Sequence, residues 1–310
     1  MSINKIKNPI AADILRTLAY FDVFNYPLSL EQVFQFLQRN SVSKEDVSAA
    51  LDELVSGSVL QKDRELYFLA TGNTGMISER LENEYRARTM LKWAGFVSFL
   101  IKQFPFTRAV FITGSLSKNV ATPDSDIDLM IVTAPGRLWI CKSMLTLFRK
   151  TFLLGSNKFF CTNFYISEKD YSIPSRSVFA AIELVTTKVV WNSEAHERFR
   201  ANNDWVRSFL PNSSPVFKDP PPVKDARSLF QRAVELIAGF FPLDALDTYL
   251  MDVHRRHWEK RYRYIDDVKR SVLFRTSREA SSVWKNDHET RVMNEYSERL
   301  RQLGLDGTRG

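Results

Sequence analysis

Cysteine is scarce in this 310-residue chain: there are two, Cys141 and Cys161. Two thiols cannot build a disulfide framework, so a reducing compartment, the cytoplasm, is expected. The opening residues, MSINKIKNPIAADIL, lack the apolar run and cleavage site of a secretory signal. No uncharged apolar stretch reaches about 18 residues, so neither a membrane span nor a membrane partner is expected. Internal repeats are absent, as are a P-loop, a dinucleotide fingerprint and a nucleophile elbow. His254 and His257 lie three apart with no third ligand at metal spacing, which argues against zinc. Cys141 has no histidine partner and reads as a core residue. Acid is missing from a whole region: residues 129–167 contain no Asp or Glu, yet hold Arg137, Lys142, Arg149, Lys150 and Lys158.

What is present is enough to fold. Hydrophobic residues make up 44% and aromatic residues 13%, so cores are expected rather than disorder. The formal charge of +7 permits an anionic partner without identifying one. The basic block is placed to hold a polyanionic acceptor or a triphosphate, but basic tails on a surface helix account for it equally well. The same two readings apply to HRRHWEKRYR, residues 254–263.

The chain divides into four expected segments. Residues 1–72 carry three helix signals and a hairpin signal. Asn8-Pro9 opens a helix with Ile10, Ile14, Leu18 and Phe21 at helical spacing. Ser29 with Gln32, and Ser43 with Asp46, resemble capping boxes. Two short apolar runs around Lys62-Asp63-Arg64 read as a hairpin. Three helices and a hairpin resemble a winged helix. The helix SKEDVSAALDELV is net negative, however, and a helix reading DNA presents basic or amide side chains, so sequence-specific DNA binding is not expected. A packing or protein-contact module is the better reading.

Residues 73–210 read as the core. One long helix is expected over 76–103, with Leu81, Tyr85, Trp93, Val97 and Leu100 on its apolar face. It is followed by a strand AVFIT, a polar loop, a strand IDLMIV, a helix near 137–153, a strand FFCTNFYI and a helix near 177–190. A Pro-rich linker over 211–224 follows, where Pro220 to Pro222 cannot continue a helix. Residues 225–310 then read as a helical domain, with Leu229, Val234, Ile237, Leu246, Leu250, Val292, Tyr296, Leu300 and Leu303 at bundle-like spacings. The expected class is α+β: a mixed-sheet core flanked by helices, with the two smaller domains at its ends.

Chemistry concentrates in FITGSLSKNVATPDSDIDLMIV, residues 111–132. Asp126 and Asp128 are two apart at the mouth of an apolar run. On a strand both carboxylates share one face, about 7 Å apart along it. Two such hard oxygen donors suit Mg²⁺, which takes one or two protein carboxylates and completes its shell with phosphate and water. Gly114 permits close backbone approach to a ligand, Ser115 opens a turn whose free amides favour phosphate, and Lys118 adds positive charge.

This stretch resembles the DNA polymerase β-like nucleotidyltransferase superfamily: Gly114-Ser115, ten intervening residues, then Asp126-Ile127-Asp128. With its flanking elements the resemblance spans roughly 105–190. It implies a nucleotidyltransferase-type sheet, Asp126 and Asp128 on Mg²⁺ or Mn²⁺, and Gly114, Ser115 and Lys118 on a nucleoside triphosphate. Two departures stand out. Lys118-Asn119 replaces the Arg-Gly of many members; lysine keeps the charge and asparagine tolerates left-handed backbone angles. The third carboxylate expected on a later strand is missing from FFCTNFYI. Asn163 is its nearest isostere and cannot act as a base, while Glu183 on the next helix is the alternative source. Two functions follow. One is transfer of a nucleoside monophosphate to an unknown acceptor: a small molecule, a nucleic acid end or a protein. The other is a catalytically degenerate member that binds a nucleotide or a partner.

Overall fold

The computed structural model describes residues 9–38, 42–72, 75–213, 226–267, 270, 273–282 and 288–305. The expected linker over 211–224 lies outside these from residue 214 onward. Among the described residues, no helix is long and apolar enough to cross a membrane.

Local signals set the N-terminal elements. Helix α1 (Pro9–Asp22) begins on its proline and buries Ile14, Leu18 and Phe21. Strand β1 (Leu28–Ser29) ends in a capping box: Gln32 N–H donates to Ser29 Oγ at 3.3 Å, and Ser29 N–H to Gln32 Oε1 at 3.0 Å. Helix α2 (Leu30–Gln35) follows, then α3 (Lys44–Ser56), where Asp46 N–H donates to Ser43 Oγ at 3.1 Å. The hairpin is β2 (Leu60–Asp63) with β3 (Leu66–Leu69), and β1 pairs on its far side. Its two-residue turn, Arg64-Glu65, has φ of 49° and 62°, the primed geometry that matches strand twist.

The core begins with α4 (Gly75–Ile101), then β4 (Thr107–Ile112), the short α5 (Gly114–Ser117), β5 (Asp128–Thr133), α6 (Leu138–Phe152), β6 (Cys161–Ser167) and α7 (Val178–Thr186). β7 (Lys188–Trp191), α8 (Ser193–Asn202), α9 (Leu229–Ala238), α10 (Leu243–Arg261), β8 (Ala280–Ser282) and α11 (His288–Gln302) complete the chain. The second sheet has the order β7-β4-β5-β6-β8. Among the described residues, β5 and β6 pair in parallel and the other pairs of this sheet are antiparallel.

Strand periodicity divides this sheet into two cores. Ala109, Phe111, Met130, Val132 and Ile166 face α7, α8, α11 and the N-terminal unit in one cluster. Val110, Ile112, Leu129, Ile131 and Tyr165 face α4, α6 and α10 in the other. The N-terminal unit therefore shares its core with the sheet and the last helix. Tyr296 packs edge-on against Tyr20 with centroids 5.7 Å apart and donates to Gln38 Oε1 at 3.0 Å. Arg299 Nε pairs with Asp22 Oδ2 at 2.6 Å.

Several elements differ from the sequence reading. The region after 225 is not helical throughout, because β8 forms an edge of the core sheet. The helix expected near 177–190 stops at Thr186 and gives way to β7, the other edge. Leu229, Ile237 and Leu246 point outward. On α4 the buried face matches the expected one only in part: Val97 is buried, but Leu81, Tyr85 and Trp93 are exposed, while Met76, Ile77, Ala87, Ala94 and Ile101 are buried together with Arg80 and Asn83. The alanines let the helix approach the sheet. Arg80 is satisfied by Pro27 O, by Gln32 Oε1 at 3.0 Å and by Glu84 at 2.8 Å, under the Tyr26 ring.

Because one core joins both ends of the chain, Tyr296→Ala is expected to lower unfolding free energy by about 3 kcal/mol, the usual cost of deleting a buried aromatic side chain. Scanning calorimetry should show the N-terminal unit and sheet melting in one transition that shifts as a whole. Two separate transitions, with only one shifted, would contradict the shared core.

Candidate functional site

The site forms where β4 and β5 run side by side into the motif loop. Thr113 N–H donates to Asp128 O at 3.0 Å, which carries the ladder up to Gly114. Gly114 has φ of +67°, a left-handed conformation that glycine adopts without strain. A Cβ built there would lie 2.6 Å from Asp128 Oδ2. The glycine is thus required twice, by its backbone angle and by the carboxylate beside it.

Asp128 begins β5, on the same face as Met130 and Val132. Asp126 lies just before the strand, with Ile127 N–H donating to Lys158 O at 2.9 Å. Burial pushes the Asp128 carboxyl up to about 6, helped by the neighbouring charges of Asp126 and Glu183 and opposed by the Cys161 thiol and Lys118.

Asn163 reaches the site through a fault in the sheet. Leu129 pairs with Thr162 and Met130 with Phe164, so Asn163 is an extra residue in β6. Plain alternation from Phe164 would turn it to the opposite face. The bulge instead lets Asn163 Nδ2 donate to Asp128 Oδ1 at 3.2 Å. Cys161 is the register partner of Asp128, and its thiol favours the charged form of the same carboxyl. The sequence reading missed Cys161 as a neighbour of the site; its place opposite Asp128 in a parallel pair is the signal that finds it.

Helix α5 has no side-chain N-cap. Ser117 Oγ donates to Gly114 O at 2.7 Å, and Asn119 follows at φ +60°, the left-handed position its side chain tolerates. Lys118 Nζ donates to Gly114 O at 3.2 Å and pairs with Glu183 Oε1 at 2.6 Å. Glu183 therefore stands near Asp128 with its carboxylate engaged by Lys118. Tyr26 of the N-terminal unit donates to Lys118 O at 3.3 Å and braces the turn from outside.

The expected basic block does not gather here. Arg137 pairs with Asp244, Arg149 with Asn157, and Lys142 is buried against Ser281 and the Trp139 and Tyr165 rings. Lys158 alone of these bonds the motif loop, at Pro123 O, 3.4 Å away. His254 packs on Trp139 and bonds Ser143, and burial holds its imidazole down at about 4. Cys141 is buried against Thr107.

Among the described residues, no group of three or more His, Cys, Asp or Glu is placed to hold a metal. A divalent ion that takes one or two carboxylates still fits Asp126 and Asp128. The Asp128 carboxylate packs against the Gly114 backbone, and the mutual repulsion of the two carboxylates is what a cation would offset.

Residues 94–175 match the family model of the nucleotidyltransferase domain. The match is consistent with the polymerase β-like nucleotidyltransferase superfamily, and the mixed sheet has the expected α+β character. The match contains Gly114, Ser115, Lys118, Asp126, Asp128 and Asn163 and ends before Glu183. No curated protein and no solved structure matches the chain.

Two outcomes follow. Gly114→Ala should cost about 1–2 kcal/mol from the left-handed backbone alone, and should displace Asp128, weakening triphosphate binding in a filter or fluorescence assay; unchanged affinity would count against the site. The second concerns pH. A carboxyl raised in the folded state favours folding most below its unfolded value, about 4, and loses that contribution as pH rises through about 6. A cation favours the charged form, so the gain in Tm on adding Mg²⁺ should be small below about pH 5 and grow above about pH 6. A gain independent of pH would place the ion elsewhere.

Proposed function

We propose that this chain transfers a nucleoside monophosphate from a nucleoside triphosphate to an acceptor hydroxyl, with Mg²⁺ or Mn²⁺ held by Asp126 and Asp128. The observation that carries this reading is the close approach of the Asp128 carboxylate to the Gly114 backbone, which only glycine at 114 permits, inside the segment matching the nucleotidyltransferase family. The bound ion would supply charge neutralisation on the triphosphate.

The residues of the chain divide the remaining work. Asp126 and Asp128 offer hard oxygens to the ion. Ser115 and the uncapped turn of α5 present donors to phosphate oxygens. Lys118 is positioned in the same turn, with Glu183 holding its ammonium in place. Asn163 orients Asp128 from β6. In the transfer, the acceptor oxygen bonds to the α-phosphorus, the bond to the bridging oxygen breaks and pyrophosphate leaves. The acceptor proton must go to a base, and Asn163 cannot take it. The acceptor is a small molecule, a nucleic acid end or a protein hydroxyl.

A second reading rests on that same point. With an amide on β6 and Glu183 engaged by Lys118, a member that binds nucleotide and turns over slowly or not at all is also supported. The N-terminal unit has the element order of a winged helix, and its net-negative α3 supports a packing or protein-contact role over sequence-specific DNA reading. The cytoplasm is the compartment this reading assigns.

The deciding experiment incubates the protein with labelled triphosphates and Mg²⁺ or Mn²⁺ and weighs both the protein and candidate acceptors by mass spectrometry. Nucleotidylated product is expected from an enzyme. Asn163→Asp should raise turnover at least about tenfold by restoring a base. Robust wild-type turnover, indifferent to Asn163→Asp and to Glu183→Gln, would refute both placements of the third group.

A further inference from the structure

Helix α9 is folded with its polar side inward. Gln231 is fully buried, and its Nε2 donates to Phe104 O at 3.0 Å and Thr107 O at 2.7 Å. Glu235, one turn later, accepts from Phe106 N–H at 2.6 Å and is gripped by Arg108 at 2.8 and 3.0 Å and by Arg227 at 3.1 Å. These bonds clamp the helix against the start of β4 and fix its rotation. The opposite side is a full apolar stripe: Leu229, Ala233, Leu236, Ile237 and Phe240 recur at the spacing of one helix face, with Phe230 and Phe241 beside them. That stripe points to solvent, with Leu229 82% and Phe240 85% exposed.

An amphipathic helix turned this way leaves an apolar face for another surface to cover. At about 200 Å² for a fully exposed large side chain, the six large residues present roughly 850 Å². A standard interface takes about 800 Å² from each partner, so this face alone is wide enough for one half of it.

We propose that α9 and the Phe240-Phe241 turn form the two-fold interface of a homodimer. Two features favour a second copy. An apolar stripe complements itself across a two-fold axis. Arg232 is the sole charged residue of α9 on the outward side, so each copy brings a single charge to an otherwise apolar face. An anionic lipid surface fits less well: interfacial helices carry a cationic polar face, whereas that of α9 faces the protein and its flanking Arg227 is neutralised by Glu235.

Sedimentation velocity on the full chain tests this. The wild type should sediment as a dimer at micromolar concentration, and Leu236→Glu/Phe240→Glu should sediment as a monomer with an unchanged circular dichroism spectrum. A monomeric wild type, or a dimer that survives the double substitution, overturns the proposal. So does wild-type protein that stays monomeric and co-sediments with phosphatidylglycerol vesicles, which would assign the face to a membrane. Should the double variant unfold, Phe240→Cys decides. The native Cys141 and Cys161 are buried, so mild oxidation should yield a covalent dimer through position 240, and the absence of one refutes the interface.

Discussion

The site depends on one close approach, the backbone of Gly114 against the carboxylate of Asp128. The ladder bond from Thr113 to Asp128 O brings the two strand ends together, and the missing Cβ lets them meet. Everything that gives the loop chemical meaning is arranged around that contact. Asn163 holds Asp128 from the neighbouring strand, where Cys161 lies opposite it in register. Lys118 and Ser117 bond back to the Gly114 carbonyl, so the turn closes on the same residue. Desolvation here raises the cost of a bare carboxylate, and a cation removes that cost.

The surrounding fold keeps this arrangement rigid. Both faces of the sheet are covered, so β4 and β5 have little freedom to shift. The face that carries Asp128 is closed by elements from both ends of the chain, which is why the N-terminal unit is part of the same core. Tyr26 turns that packing into a local contact by bonding the carbonyl of Lys118. On the opposite core, α10 does the same for α6: Asp247 Oδ1 accepts from Trp139 and Ile140 N–H at 2.8 and 2.9 Å and caps that helix across the fold.

The motif was legible in the sequence because its residues are nearly contiguous and each type has a narrow use. Capping boxes and the proline start were legible for the same local reason. Other features depend on partners far along the chain. The buried stripe of α4 includes Ala87, Ala94, Arg80 and Asn83, which no hydropathy pattern selects, while Leu81, Tyr85, Trp93, Phe96 and Phe99 face outward. β7 follows an apolar helix without a turn signal, and β8 is Ala-Ser-Ser; edge strands this short carry little pattern. The basic block looks like one patch in sequence, yet Arg137, Lys142 and Arg149 are each engaged by a separate partner. Asn163 was placed by family likeness, and only the bulge explains how it faces Asp128.

The central claim is that Asp126 and Asp128 hold a divalent cation that triphosphate binding requires. Titration calorimetry of a nucleoside triphosphate into the wild type and into Asp126→Asn/Asp128→Asn, each with Mg²⁺ and with chelator, tests it directly. Strong binding is expected only for the wild type with Mg²⁺. Equal affinity in chelator, or in the double variant with Mg²⁺, would contradict it.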